Sequence, residues 1–417
     1  MNRRALVALL AADAVSICGT TMTLLAVPWF VLISTGSPAR TGLVAGVEIA
    51  GVALSSVLAA PLLDRLGRRR CSVASDVIAA AAVATIPLAA ATVGLPFWAL
   101  LSLAALVGLV RAPGQTARST MVPILITLAG TSPERGASAY DGVNRAARMA
   151  GAPLAGVLIA WIGAANLLYV DAVTFLLSAA LVRAFVPLIA DESGERPPGY
   201  VEMLRVGFGY VRRDRLIGAM VAMVFLTNLL DVAAFAVLMP VYANDVLHSS
   251  VALGLFGGAF GLGAVAGTAA YGAIGARLPR WSTYTVMFLI VGAPRYVLMA
   301  ADPPLAVMLA FLAFAGLAAG AINPILSVVE YERIPDRLRP MVFGAITGGV
   351  MAGAPLGALL AGFGVEVFGL TATLLATGGL YLLATLCPAI FPVWRDMDPA
   401  SRSEPVAADR VESCPQR

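Results

Sequence analysis

Long apolar runs separated by short polar segments are the main pattern of this chain. A helix needs about 20 mostly apolar residues to cross the hydrocarbon of a bilayer, because each residue adds about 1.5 Å. By that measure the sequence predicts an all-α membrane protein with twelve transmembrane helices. They cover residues 6–34, 40–63, 72–94, 97–117, 138–161, 165–187, 215–243, 250–275, 282–300, 304–331, 338–363 and 369–393.

The polar segments divide these helices into two groups of six. Residues 1–187 and 215–393 are predicted to form two six-helix bundles, joined by a cytoplasmic linker at 188–214. The linker becomes amphipathic from Tyr200 to Arg213, a pattern typical of a helix lying in the membrane interface. Residues 394–417 are polar and rich in Ser, Pro and Asp, so we expect a disordered cytoplasmic tail.

Composition agrees with this division and limits the function. Of the 417 residues, 59% are hydrophobic and 12% charged, and the mean hydropathy is +0.87. A soluble domain has about 25% charged residues, so most of this chain is expected in a lipid bilayer. All 28 basic residues are arginine. In a membrane protein such an excess indicates loops that face the cytoplasm rather than nucleic-acid binding.

Cofactor and metal sites are not expected. The four cysteines have neither a disulfide nor a metal spacing, and His248, in a predicted outer loop, is the one histidine of the chain. The sequence also has no phosphate-binding loop of the G-x4-G-K-[ST] type, so an ion gradient is the expected energy source.

The distribution of arginine predicts the orientation. With the amino terminus inside, every inner segment carries arginine, whereas the outer loops hold only Arg40. Because positive charge marks the cytoplasmic side, we expect both termini in the cytoplasm and the protein in the inner membrane.

The loop between the second and third predicted helices is the most specific motif. It runs from Ala60 to Arg70 and resembles the signature of the major facilitator superfamily, roughly G-x-L-a-D-R-x-G-R-R/K. The matching residues are Asp64, Arg65, Gly67, Arg68 and Arg69, whereas Ala60 replaces the first glycine. The resemblance implies a cytoplasmic gate in which Asp64 is stabilised near the amino terminus of a helix.

An internal repeat supports this resemblance. Met149-Ala-Gly-Ala-Pro-Leu recurs as Met351-Ala-Gly-Ala-Pro-Leu, and Arg65-Leu-Gly-Arg has an echo in Arg277-Leu-Pro-Arg. The two landmarks occur in the same order in both halves. Two related sets of six helices are the arrangement of the major facilitator fold, in which the halves move about a central cavity.

Ionisable residues inside predicted helices are functional hypotheses, because a charge in the bilayer is costly. Asp231 lies near the middle of the seventh helix, which lines the cavity in the family, and is the first choice for proton coupling. An isolated aspartate at that depth is protonated unless it faces water or a cation. Asp13 in the first helix is the second choice, with a structural alternative in which Arg3 or Arg4 pairs with it. Glu48 is the third, and could instead pair across the interface between halves.

Polar residues beside these carboxylates are expected to line the cavity. They are Ser16, Thr20, Thr23, Thr227, Asn228 and Asn323. The remaining intramembrane charges, Asp171, Arg295, Asp76 and Arg183, are interpreted as structural. Asp76 and Arg183 lie near inner helix ends, whereas Asp171 and Arg295 have no evident local partner. Arg111 only weakly resembles a family arginine of the fourth helix that assists proton transfer.

The fifth predicted helix resembles the antiporter signature of the family. Gly151, Pro153 and Gly156 match it in part, and the repeat places Gly353 and Pro355 at equivalent positions. Small residues allow close helix packing, so we expect these positions at helix interfaces. Generic packing of small residues is the alternative.

The wider sequence resembles the bacterial drug-exporter branch, including macrolide-efflux and enterobactin-exporter-like members. Ser16 to Gly19, Val27-Pro-Trp, and Asp171-Ala-Val-Thr-Phe carry this likeness. We therefore expect a monomeric, proton-coupled secondary transporter that exports a small amphipathic compound, with protons, substrate and lipid as its partners. Import of a nutrient or lysolipid, or a receptor or scaffold that transports nothing, are alternatives. An enzyme is not expected.

Overall fold

The computed structural model describes residues 3–188 and 200–398, and these residues are almost entirely helical. The first half contains α1 (Arg3–Thr35), α2 (Pro38–Leu66), α3 (Arg68–Thr92), α4 (Phe97–Ala129), α5 (Pro133–Ile162) and α6 (Ala164–Phe185). A shorter helix, α7 (Tyr200–Arg213), precedes the second half. That half contains α8 (Arg215–Ala233), α9 (Met239–Asp245), α10 (Ser250–Ile274), α11 (Arg280–Val291), α12 (Ala293–Ala300), α13 (Leu305–Arg333), α14 (Arg339–Met351), α15 (Ala354–Phe368) and α16 (Leu370–Ile390).

Three passes of the second half are built from two helices each. A π-helical turn at Ala234–Leu238 joins α8 to α9, Gly292 separates α11 from α12, and two residues separate α14 from α15. Ten passes in the described part of the chain are long and apolar enough to cross a membrane. With α2 and α5, of 29 and 30 residues, they give the predicted twelve-helix bundle.

Local signals set where the helices begin and end. Ser37 caps α2 by accepting a hydrogen bond from the backbone N–H of Arg40, and Asp214 caps α8 in the same way. Gly67 ends α2 with φ of 77°, a backbone conformation that favours glycine. Because the α2–α3 connection is this single residue, the two helices turn back on one another as the short loop predicts.

The two ends of the bundle are distinguished by the loops on either side of α2. The Gly36 end is where α1 ends and α2 begins, and the Gly67 end is where α2 ends and α3 begins. The halves pack together through α2 against α15 and α5 against α10. A cross-half contact lies at the Gly36 end, where the Glu366 carboxylate accepts hydrogen bonds from Ser37 Oγ at 2.5 Å and the Ala39 N–H at 3.1 Å.

The repeated Met-Ala-Gly-Ala-Pro-Leu segment lies at equivalent contacts in both halves. A Cβ on Gly151 would lie 2.7 Å from Thr21 of α1, and one on Gly353 would lie 2.7 Å from the ring of Phe225 in α8. The proline of each segment contacts a helix of the opposite half. Pro153 packs on α10, and the carbonyl oxygen of Pro355 faces α2. This correspondence is the pseudo-two-fold relation that the sequence repeat predicts.

The amphipathic helix α7 packs on α14 at the Gly67 end. A Cβ on Gly207 would lie 2.4 Å from the carbonyl oxygen of Met341, so the two backbones are in close contact. The Tyr210 hydroxyl donates to the carbonyl oxygen of Arg333 at 2.6 Å. Burial raises the pKa of Tyr210, with a further contribution from nearby Asp214, so the hydroxyl keeps its proton. The first part of the predicted linker and the predicted tail after Asp398 lie outside the described residues.

Gly156 packs against backbone atoms of α10 and gives a testable prediction. A Cβ there would lie 2.7 Å from Gly254 Cα and 2.8 Å from the carbonyl oxygen of Ser250. Both are backbone atoms that cannot rotate away, so Gly156→Ala is expected to separate the halves at the Gly36 end. In a cysteine-free background with cysteines at positions 37 and 366, the variant should lower the yield of chemical cross-linking severalfold.

Gly142 provides the matched control for this experiment. It lies on the same helix with open space where a Cβ would go, so Gly142→Ala should leave the yield unchanged. An equal yield for Gly156→Ala and the parent protein would show that this contact does not hold the halves together.

Candidate functional site

A buried arginine between two aspartates is the centre of the first half. Arg118 Nε donates to Asp13 Oδ1 at 2.9 Å, and its Nη1 donates to both Asp76 oxygens at 2.9 Å. All three side chains are at least 95% buried. Buried charges are stable only when paired and hydrogen-bonded, so these residues form one unit, named here the Arg118 cluster.

Neutral side chains complete the Arg118 cluster. Ser16 Oγ accepts from Arg118 Nη2 at 3.0 Å, Asn144 Nδ2 donates to Asp13 Oδ2 at 2.9 Å, and Ser178 Oγ donates to Asp76 Oδ2 at 2.7 Å. Five helices, α1, α3, α4, α5 and α6, therefore contribute to it. The cluster fixes their relative positions.

One expectation about these residues was wrong. Arg118 was predicted just beyond the end of the fourth helix, but α4 continues to Ala129 and buries it. The structural alternative for Asp13 was a pair with Arg3 or Arg4, and the structure gives it a different arginine, Arg118. Asp76 also binds Arg118 and is buried, because the packing of the helices excludes water from this region.

Two further carboxylates of the first half are also buried. Glu48 Oε1 lies 3.3 Å from Arg111 Nη1, so its partner lies in its own half and not across the interface. Asp171 accepts hydrogen bonds from the hydroxyls of Thr23 and Thr174. Thr23, which was expected to line the cavity, is therefore buried against Asp171.

The second half has a different charge pair. Asp231 accepts a hydrogen bond from Arg295 Nη2, and the Asp231 side chain is 31% exposed whereas that of Arg295 is 2% exposed. Asp231 therefore faces a cation, and the partner of Arg295 is distant in the sequence. The two residues lie 64 positions apart in the sequence, so no local pattern links them.

Aromatic rings enclose the Arg295 guanidinium. Its Cζ lies 4.7 Å from the ring centroid of Tyr296, 5.2 Å from that of Tyr381 and 5.8 Å from that of Phe235. Such cation–π contacts stabilise a desolvated arginine. The Tyr296 hydroxyl also accepts from Arg295 Nη2 at 2.9 Å. Arg295 is therefore held in place independently of Asp231.

Asp231 lies on the wall of a cavity of about 510 Å³. The wall includes the predicted residues Thr227, Asn228 and Asn323, together with Thr268, Ser327, and the apolar surfaces of Phe260, Phe288 and Tyr381. Cavities of about 300–1,000 Å³ hold drug-sized ligands. A narrow cavity of about 30 Å³ in the first half is lined by Ser16, Thr20, Arg111 and Arg148, among others, and has room for only about one or two waters.

A charged face of α5 was missed by the sequence analysis. Asp141, Arg145 and Arg148 are exposed although they lie within a transmembrane helix. Arg145 lines the 510 Å³ cavity, and Arg148 lines the narrow one. Their spacing places them on one side of a helix, and that periodicity could have predicted the face.

The Asp64–Arg69 loop lies at the Gly67 end. Asp64 and Arg65 are exposed, and Arg69 donates a hydrogen bond to the carbonyl oxygen of Arg183 at the end of α6. This contact stays within the first half. Among the described residues, no group of three or more His, Cys, Asp or Glu side chains is arranged to hold a metal ion.

Comparison with known proteins identifies the family. The model of the Major Facilitator Superfamily matches residues 9–292 and 221–413, which together include both halves. The chain belongs to the Major Facilitator Superfamily. It is therefore a multi-pass membrane transporter of a small molecule, driven by a gradient, and not an enzyme.

Curated relatives of this major facilitator match it over nearly its whole length. It is 31% identical over 411 residues to the multidrug efflux pump Tap of Mycobacterium tuberculosis, covering 97% of both chains. The Tap protein of Mycolicibacterium fortuitum is 31% identical over 394 residues, which cover 92% of this chain and 95% of that one.

Solved structures share the fold at low sequence identity. The nucleoside transporter NupG superposes with a TM-score of 0.74 at 14% identity, covering 93% of this chain and 98% of its own. A bacterial homolog of the human lysosomal transporter Spinster, in an inward-facing and unoccupied conformation, has a TM-score of 0.71 at 16% identity, covering 97% and 99%.

Proposed function

We propose that this protein is a proton-coupled exporter of small amphipathic compounds in the cytoplasmic membrane. The observation that carries the proposal is the 510 Å³ cavity, which combines aromatic surfaces with a partly exposed aspartate in the middle of the bundle. The whole-length similarity to Tap, a multidrug efflux pump, supports export of drug-like compounds.

We infer that the Gly67 end faces the cytoplasm. Arginine is concentrated in the segments at that end, whereas Arg40 is the one arginine of the predicted outer loops. The close contacts between halves then lie on the outer side, where Glu366 binds the start of α2. This arrangement corresponds to a state closed to the exterior.

Asp231 is the proposed coupling residue. It is exposed to the cavity on one side and bound to Arg295 on the other, so loading it with a proton would remove the charge that holds the pair together. Arg295 would remain held by its aromatic rings. Substrate and proton would then compete for one wall of one cavity, so the cavity carries them in turn. The site releases its proton to the cytoplasm before substrate moves outward, and the return step carries another proton inward.

Asp13 and Glu48 rank below Asp231 in this proposal. Asp13 is fully buried and bound to Arg118, and Glu48 is 4% exposed and paired with Arg111. A coupling carboxylate must exchange its proton with water on both sides in turn. Neither residue reaches the 510 Å³ cavity, so each would need a larger rearrangement to do so.

The function is tested in everted membrane vesicles whose interior is acidified. A fluorescent amphiphile that the protein exports should accumulate inside, and collapse of the pH gradient with nigericin should release it. Accumulation that survives nigericin would overturn proton coupling. If expression changes neither dye accumulation nor the resistance of cells to a panel of toxic compounds, the export proposal fails. Movement in the opposite direction would indicate an importer.

The Asp64 loop is proposed to close the cytoplasmic side in the alternate state. Asp64 is exposed in the present arrangement, so its partner would be met only when the Gly67 ends of the two halves approach. Asp64→Asn is expected to reduce export sharply while leaving the amount of folded protein unchanged, as measured by dye efflux and by size-exclusion chromatography. Loss of the protein from the membrane would instead assign Asp64 a structural role.

We expect the transporter to work as a monomer surrounded by lipid. Large apolar side chains such as Trp161 and Phe368 are 82% and 74% exposed on the outside of the bundle, as expected for contact with hydrocarbon.

A further inference from the structure

Arg145 and Arg148 differ from the other arginines in the middle of the bundle. Arg111, Arg118 and Arg295 each have a carboxylate partner. Within residues 3–188 and 200–398, no acidic group lies within ion-pair distance of Arg145 or Arg148. Both lie close to the midpoint of the 30-residue helix α5, where an unpaired charge is costly unless it faces water or a ligand.

Arg145 and Arg148 are also neighbours on the surface of α5. Residues three apart on a helix have their Cβ atoms about 5–6 Å apart, and like charges at this spacing destabilise a helix. Asp141 is one turn before Arg145 but is not in ion-pair contact with it, and both are exposed. Asp231 lines the same cavity as Arg145, but it already binds Arg295. Two neighbouring positive charges are therefore left without a carboxylate partner, Arg145 on the wall of the 510 Å³ cavity and Arg148 on the wall of the narrow cavity.

We propose that the transported compound carries an anionic group, such as a carboxylate, that binds to Arg145 and is attracted by the neighbouring charge of Arg148. Guanidinium groups form strong, directional hydrogen bonds with carboxylate oxygens. The rest of the compound would occupy the 510 Å³ cavity, where Phe260, Phe288 and Tyr381 provide apolar contacts. The substrate class is thus an anionic amphiphile with an aromatic or aliphatic body. This inference rests on the proposed export function.

Two dyes with one ring system and opposite charge can test this charge preference. Fluorescein is an anionic xanthene and rhodamine 6G a cationic one. Binding of each dye to the purified full-length protein, in nanodiscs of zwitterionic lipid, would be measured by fluorescence polarisation. We expect fluorescein to bind more tightly, and Arg145→Gln to weaken its binding about tenfold, the loss typical of one hydrogen bond between charged groups. Arg148→Gln, which removes only the neighbouring charge, should weaken it less. Rhodamine 6G should be unaffected by either change.

Arg135 provides the matched control. It is an exposed arginine in the first turn of α5, so Arg135→Gln changes the net charge equally but lies outside the cavity. It should leave fluorescein binding unchanged. Repeating the measurement with anionic lipid in the nanodiscs distinguishes a soluble anion from a lipid headgroup, because competition by lipid would weaken fluorescein binding.

Equal affinity for the two dyes, or fluorescein binding that is insensitive to both arginine changes, would overturn the inference. The binding assay needs no gradient and so separates this inference from the proposed function. If the charge preference is present but everted vesicles accumulate no dye, the export proposal fails and the anion site stands. If the vesicles accumulate rhodamine 6G and the arginine changes have no effect on either dye, the anion site fails and export stands.

Discussion

Replacing Arg118 with methionine should destabilise the protein by about 3–5 kcal/mol, the typical cost of removing one partner from a buried ion pair. The change leaves Asp13 and Asp76 buried without a cation, and both point to one small volume between five helices. The variant should show a much lower yield of monodisperse protein and a lower Tm in mild detergent.

A triple variant separates loss of charge balance from loss of shape. Combining Arg118→Met with Asp13→Asn and Asp76→Asn removes all three charges while keeping similar volumes, so it should recover much of the lost stability. Neutral replacement of a complete buried cluster is often tolerated. Arg135→Met is the control for loss of an exposed arginine and should change stability by less than about 0.5 kcal/mol.

The Arg118 cluster would not be a structural element if Arg118→Met kept the wild-type Tm. Failure of the triple variant to recover would show that hydrogen-bond geometry, more than charge balance, holds the five helices together. Because the readout is folding and not transport, the result does not depend on the substrate.

Asp231→Asn should abolish uphill export while preserving downhill exchange. Asparagine keeps an oxygen that can accept from Arg295, so the pair's geometry is retained while the proton-carrying group is lost. A pH difference of one unit is worth about 1.4 kcal/mol per proton, which supports about tenfold accumulation for one proton exchanged at zero membrane potential. In proteoliposomes with the membrane potential clamped, the variant should give no accumulation.

Two other variants test whether the loss of uphill export is specific to Asp231. Asp245→Asn removes an exposed carboxylate from the end of the same pass and should transport as the wild type does. Asp13→Asn should show a milder loss than Asp231→Asn, because Asp13 lies away from the 510 Å³ cavity. Wild-type accumulation by Asp231→Asn would refute the assignment and make Glu48 the next residue to test.

The two halves use their central charges differently in spite of their common fold. Asp13 and Asp231 occupy equivalent passes, but Asp13 is fully buried against Arg118 while Asp231 remains open to the cavity. We therefore expect the first half to stay rigid around the Arg118 cluster and the second half to contain the group that changes its protonation state. This is why replacing Arg118 is predicted to lower stability, whereas replacing Asp231 is predicted to abolish uphill transport.

The sequence by itself determined the number of passes, their order and the relation between the halves. These properties depend on the length of apolar runs and on local residue types, such as the glycine that ends α2 and the repeated Met-Ala-Gly-Ala-Pro-Leu segment. Thr227, Asn228 and Asn323 were expected to line a cavity because polar residues within apolar helices avoid lipid, and they lie on the wall of the 510 Å³ cavity.

Only the tertiary structure decided which charges pair and which remain free. Arg118 and Asp13 are 105 positions apart, and Arg295 and Asp231 are 64 apart, so their contacts depend on how helices from distant parts of the chain pack. The environment of a charge depends on that packing as well. Arg118 resembled a loop residue because an arginine near the end of an apolar run usually meets water. It is buried because α4 continues past it. Two aspartates neutralise the positive charge that water would otherwise solvate.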